Sequence, residues 1–179
     1  LINKMQIERT MAVLIATQTI STQEHQNDVK IFDDSIINTT TAYNKLNNYL
    51  ITNSSILPKD IAQKISRELI DIQNLNPFRS IIKLKDLSFE EAITKYSNYI
   101  SSLILTLENI KAYNENAYNS NLLDFSIILT KEQDKFGLIR GRISVALQNN
   151  ELTAENKEKI IALLNESKIY RRMLNFEVN

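Results

Sequence analysis

SFEEAITKYSNYISSLILTLENI, residues 88–110, decides the class of fold. Ser88 and Glu91 stand at capping-box spacing: the serine hydroxyl can accept the Glu91 backbone N–H while the glutamate side chain returns the bond to Ser88. From that start apolar residues recur at Phe89, Ile93, Tyr96, Ile100, Leu103, Leu107 and Ile110, three or four positions apart. That is the period of one helix face, sustained for six turns. The spacing predicts a single long helix with a defined beginning.

The same period extends in both directions. Upstream, Ile2, Met5, Arg9, Ala12, Val13, Ala16 and Ile20 share a face, and Ser21 to Glu24 offers a second capping-box spacing. Val29, Phe32, Ile36, Thr39, Tyr43, Leu46 and Leu50 form the next stripe, which should end in the polar stretch 52–55. Pro58 suits the first turn of a shorter helix carrying Ile61, Ile65, Leu69 and Ile72. Asn76-Pro77 should break it, leaving 78–87 as a connection or a short helix. Downstream, residues 114–121 turn polar and read as a loop or as helix running through. Leu122, Leu129, Phe136, Ile143 and Leu147 then mark an apolar stripe, largely in 7-residue steps. Asn149-Asn150 stops that helix, and Thr153 caps a last one, with Glu155 in its first turn, to about Phe176. The expected fold is all-α: an antiparallel up-down bundle of long helices, four-helix-bundle-like, in one domain over residues 1–179.

Composition agrees and excludes most chemistry. The 179 residues hold two Gly and two Pro, where average usage would give roughly 12 and 9. Tight turns, and with them β-hairpins and βαβ loops, are hard to build from so few. An apolar fraction of 43% rules out disorder, and 21 basic against 21 acidic residues argue against a nucleic-acid binder. With no Cys and a single His, disulfide frameworks, zinc ribbons, thiol nucleophiles and two-histidine metal sites fall away. No cofactor and no catalytic residue is expected, and the chain does not read as an enzyme. No apolar run is long enough to span a membrane or serve as a signal peptide. The opening on Leu1 reads as a piece of a longer protein.

Functional residues are sought where the core pattern is violated. Arg9 lies on the apolar stripe of the first helix, between Met5 and Val13. Arg140 follows Phe136 by four and precedes Ile143 by three, again on an apolar stripe. A buried guanidinium requires a carboxylate, a set of carbonyls or a bound anion. The only two glycines, Gly137 and Gly141, flank Arg140 and share its helix. At about 1 kcal/mol each relative to Ala, they clear side-chain bulk beside the arginine. A planar guanidinium beside bared backbone suits a flat oxyanion such as nitrate, nitrite, a carboxylate or bicarbonate. The plainer readings remain open: Arg9 paired with Glu132 or Asp134 or reaching the bundle end, and the glycines marking a kink or a tight helix crossing. His25 reads as solvated, Asp33-Asp34 as a candidate carboxylate pair, Glu90-Glu91 as a pair explained by its cap and dipole position, and 168–172 as a basic last turn.

Several short elements resemble one family in its own order. Gln6-Ile-Glu-Arg9 is similar to the Q-x-E-R opening of the nitrate- and nitrite-sensing (NIT) domains, helical sensor regions of bacterial chemoreceptors, histidine kinases and one-component regulators. Lys30-Ile-Phe-Asp-Asp34 resembles the R-x-x-T-D element, and Arg79 stands where a mid-domain arginine is expected. Tyr96 and Ile100 match the central helix. Leu129-Thr-Lys-Glu132 with Gly137 and Arg140 resembles L-x-x-K-E…G-x-x-R, and 170–176 the closing segment. Ile139 replaces the glutamate of the second element. A weaker similarity, through Ile2-Asn3 and Arg9, is to PilJ-type helical sensors. The NIT resemblance implies that Arg9 and Arg140 clamp nitrate or nitrite between the first helix and the glycine-flanked one. Arg79 and Arg142 are then outer candidates, with Gly137 and Gly141 giving access. It further implies a periplasmic, homodimeric domain of a membrane receptor, most simply a methyl-accepting chemotaxis protein, with transmembrane helices outside this chain. The alternative is a helical interaction or scaffold module with no small ligand.

Overall fold

The computed structural model describes residues 1–17, 22–53, 55, 58–111 and 117–177. Seven α-helices account for the secondary structure of these residues: α1 (Ile2–Thr17), α2 (Thr22–Thr52), α3 (Lys59–Gln73), α4 (Leu75–Lys83), α5 (Phe89–Lys111), α6 (Ala117–Gln148) and α7 (Ala154–Glu177). The protein is all-α, a helical bundle. Its chain divides into two compact units, Leu1–Thr106 and Leu107–Asn179, with α5 running across the division. The Ser21 cap, Ile20 and residues 114–116 of the polar stretch lie outside the described residues; helix α6 has begun by Ala117.

In the first unit α1 packs against α2 and α4, and α3 against α2 and α4. The predicted stripes face inward. Phe32, Thr39, Tyr43 and Leu50 of α2, Ile61, Ile65, Leu69 and Ile72 of α3, and Ile93, Tyr96, Ile100 and Leu103 of α5 are all buried. Pro58 sits just ahead of α3, its carbonyl accepting the Ala62 N–H at 3.0 Å. Asn76-Pro77 does not separate two helices as the sequence suggests; it lies in the first turn of α4, whose N-cap is Asn74. Proline's missing N–H costs nothing in a first turn, where that donor has no helical partner. The Ser88–Glu91 box forms as expected, with Ser88 N–H donating to Glu91 Oε2 (2.9 Å) and Glu91 N–H to Ser88 Oγ (3.2 Å).

The second unit is built on an αα-hairpin. Helices α6 and α7 pack antiparallel along their lengths, tied by Glu132 with Arg171 (3.0 Å) and Lys135 with Glu166 (2.5 Å). Thr153 caps α7 through the Asn156 N–H at 3.2 Å. Both glycines are spent inside α6, so two helices end in the left-handed region without one. Lys85 (φ 59°) closes α4 and Asn150 (φ 50°) closes α6, each followed by an N–H that reaches back five residues, Asp86 to Ile81 and Glu151 to Ala146. A non-glycine residue there costs about 1–2 kcal/mol.

The α6 stripe is turned the other way from the sequence expectation. Leu122, Phe136, Ile143 and Leu147 are 51, 43, 43 and 72% exposed, while Ile127, Asp134, Ile139, Gly141, Arg142 and Val145 are buried. Apolar residues surround this helix, so a 7-residue spacing alone does not select the inward face.

Candidate functional site

Two successive residues of α1 meet two successive residues of α5. Neighbours on a helix diverge by about 100°, so Glu8 and Arg9 face different surroundings. Glu8 is fully buried and Arg9 is 2% exposed. Glu8 Oε1 accepts Arg79 Nε at 2.8 Å and the Tyr96 hydroxyl at 2.5 Å, and Oε2 accepts Arg79 Nη2 at 2.9 Å. This fork-on-carboxylate pair joins α1, α4 and α5, and Arg79 Nη1 closes it on Asn76 Oδ1 at 2.9 Å. Arg9 Nη1 donates to Ser97 Oγ at 3.0 Å, one residue on from Tyr96. The Tyr96 ring packs against Phe78, their centres 5.8 Å apart and tilted.

Burial and charge act together on these groups. Desolvation first, then the Glu8 charge and hydrogen bond, push the Tyr96 hydroxyl well above the usual tyrosine range. Burial works against the charged form of Arg79, but the hydrogen bond and charge of Glu8 outweigh it and hold the guanidinium above its ordinary value. The result is a locally neutral ion pair with a rigid geometry. Its contribution is greater in position than in net stability, since desolvation offsets most of the Coulomb gain.

The structure places the predicted site residues as follows. Arg9 and Arg79 lie in the first unit, on α1 and α4. Arg140, Arg142, Gly137 and Gly141 lie on α6 in the second. The expected pair Arg9 and Arg140 therefore divides between the two units. Arg140 is exposed rather than buried, because the stripe that carries it faces outward; the buried arginine of α6 is Arg142, whose Nη1 donates to Asn156 Oδ1 at 2.9 Å. Gly141 is buried and Gly137 partly so. Glu132, a sequence candidate for Arg9, accepts Arg171 Nε.

Other expectations need correction. Residues 168–172 are not a last turn: α7 continues to Glu177, and Arg171 stacks on Phe136 with its guanidinium carbon 5.1 Å from the ring centre. His25 is partly buried, with Nδ1 lacking a hydrogen-bond partner among the described residues. Asp33 is ion-paired with Lys83. Among the described residues no three His, Asp or Glu come together, and no helix is long and apolar enough to cross a membrane.

Sequence reasoning missed Glu8 and the role of Tyr96. The signal was present: Glu8 follows Met5 by three and precedes Ala12 by four, on a face that is otherwise apolar. Beyond the family comparison, no curated protein and no solved structure matches the chain. The sequence model of nitrate and nitrite sensing, NIT, matches residues 1–177, and with the E-R element of α1 held in place at both residues the chain belongs to the NIT family of sensor domains.

Proposed function

We propose that the chain is the extracytoplasmic sensor domain of a bacterial membrane receptor, most simply a chemoreceptor, and that it binds nitrate or nitrite, with Arg9 of the first unit and Arg140 of the second as its candidate guanidinium groups. The observation that carries this reading is the near-complete family match, over a chain in which the arginine of the E-R element is a buried guanidinium facing the hydroxyl of Ser97. A planar fork held in a partly dry place favours a flat, delocalised anion through paired N–H donors. Glu8 supports it: both its oxygens accept hydrogen bonds from Arg79, which neutralises a carboxylate that would otherwise repel an anion beside Arg9. Arg79, already engaged with Glu8, would hold the surroundings of Arg9 in shape; on α6, Arg142 is engaged with Asn156, and Gly137 and Gly141 would leave backbone accessible near Arg140. Ligand binding would stabilise one helix arrangement over another and displace α7, the output helix.

The test is thermal unfolding in a low-chloride buffer with nitrate, nitrite, formate or chloride. Saturation at about 100 times the dissociation constant should raise Tm by about 5–10 °C. The shift should be specific to nitrate or nitrite and lost in Arg9→Ala and in Arg140→Ala, taken one at a time. A flat response to every anion in folded protein would remove the nitrate reading.

A second reading, assembly through helices, is favoured by the outward α6 stripe of Leu122, Phe136, Ile143 and Leu147. Sustained 7-residue spacing on an exposed face suits a partner helix, and a second copy is the simplest occupant. Sedimentation of the wild type and of Phe136→Glu should then show a dimer that the substitution dissociates.

A further inference from the structure

Ser35, Ser66 and Ser80 each donate the hydroxyl proton to a carbonyl of their own helix, at 2.7, 2.8 and 3.3 Å. Ser88 and Ser102 donate to the carboxylates of Glu91 and Glu68. Tyr96 gives its proton to Glu8. Ser97, the next residue of α5, differs from all of these. Its Oγ accepts Arg9 Nη1 at 3.0 Å, and its own proton has no acceptor among the described residues.

The arginine fixes the role of this hydroxyl. The lone pair facing Arg9 is taken, so the O–H swings away from the guanidinium, and the cation polarises it into a stronger donor. Exposure sets the order in which a solute meets the two groups. Arg9 is 2% exposed, whereas Ser97 is only partly buried. From water, the Ser97 hydroxyl is the reachable end of the contact and the Arg9 charge stands behind it.

We infer that the Ser97 hydroxyl makes the direct hydrogen bond to the anion, with the Arg9 guanidinium supplying the charge behind it. Resting on the nitrate or nitrite reading, this assignment gives that site its outer donor. Glu8, next to Arg9 in the chain, does not compete for the hydroxyl proton, because Arg79 and Tyr96 occupy both its oxygens. A donor in front and a cation behind suit a small oxyanion that presents acceptor oxygens. The bond from a hydroxyl to a charged oxygen is shorter and stronger than one between neutral groups. Because Ser97 reaches solvent, the contact forms without parting α1 from α5.

The experiment titrates nitrate and nitrite calorimetrically into the full chain in chloride-free buffer, for wild type, Ser97→Ala and Ser97→Thr, and crystallises the wild type with nitrate. Ser97→Ala should weaken binding about tenfold or more, while Ser97→Thr, which keeps the hydroxyl, should stay within about threefold. In the crystal an oxygen of the anion should lie about 2.5–3.0 Å from Ser97 Oγ. Equal affinity in wild type and Ser97→Ala would overturn the assignment and leave the nitrate reading standing. So would an anion seated away from Oγ, even with Ser97→Ala weakened, since Ser97 would then only position Arg9. Should Ser97→Ala lose its fold, the place of the anion in the wild-type crystal decides. No binding of nitrate or nitrite to the wild type would remove the reading itself, and this contact with it.

Discussion

The ion pair that joins helices in the first unit is buried, while those that tie α6 to α7 in the second lie at the surface. Around Glu8, an ion pair, a tyrosine hydroxyl and an amide are closed into one network with side chains 8% exposed or less at the pair. Along α6 and α7, Lys135–Glu166 and Glu132–Arg171 lie on the flanks of the hairpin, with one partner of each pair about half exposed, while leucine and phenylalanine face outward. The contrast separates two uses of charge. A buried pair fixes which helices meet, because a mismatch would strand an ion away from water. A surface pair adjusts a contact that apolar packing has already made.

That difference can be broken most severely at Glu8. Glu8→Ala leaves the Arg79 guanidinium buried and unmatched, and should destabilise the protein by about 3–5 kcal/mol. Chemical denaturation measures it, and the double variant Glu8→Ala/Arg79→Ala should recover part of the loss. Tyr96→Phe comes next, removing one donor from a buried carboxylate, for about 1–3 kcal/mol. It should also change the alkaline limb. Tyr96 holds its proton to a higher pH in the folded state than the ordinary tyrosine value of about 10. Its contribution is therefore complete below that pH and declines as pH rises toward the folded value. A Tm-against-pH series should show this decline in wild type and a shallower one in Tyr96→Phe.

Ser88→Ala should cost about 0.5–2 kcal/mol by uncapping α5. The Glu91 carboxylate is held below its ordinary range by hydrogen bonds from the Ser88 hydroxyl and backbone N–H. Its contribution is present above the ordinary carboxylate pKa and falls away as pH drops through the folded value, so Ser88→Ala should flatten the acid limb of the same series. The smallest effect belongs to the second unit. Lys135→Ala should cost less than about 1 kcal/mol, and less still in high salt. A cost as large as that of Glu8→Ala would erase the distinction between the two regions.

The helices of the first unit were legible because their apolar stripes are narrow. Phe32 to Leu50 and Ile61 to Ile72 recur at helical spacing on one face, with only scattered apolar residues such as Ile37 and Ile70 outside it, so period and burial coincide. The Ser88–Glu91 box was legible from two residues, since its hydrogen bonds are local. Helix α6 was not, because Leu123, Phe125, Ile128 and Leu138 fill the rest of its circumference and a repeat of seven cannot choose among faces. The same ambiguity placed Arg140 inside and left Arg142 among the outer candidates. Glu8 escaped for another reason. Its partners Arg79 and Tyr96 lie 71 and 88 residues away, and no local pattern announces a pairing over that distance. Asn76-Pro77 misled through proline's two roles, since the residue that ends one helix pattern also opens the next.

The central claim is that the buried guanidinium of α1 takes part in holding a planar anion. Calorimetric titration of nitrate into the wild type and into Arg9→Lys, in chloride-free buffer, tests it most directly. Saturable binding is expected to the wild type, with a loss of at least tenfold in Arg9→Lys, which keeps the charge but not the planar fork. Equal affinity in the two proteins, or no heat from nitrate or nitrite in either, would contradict it.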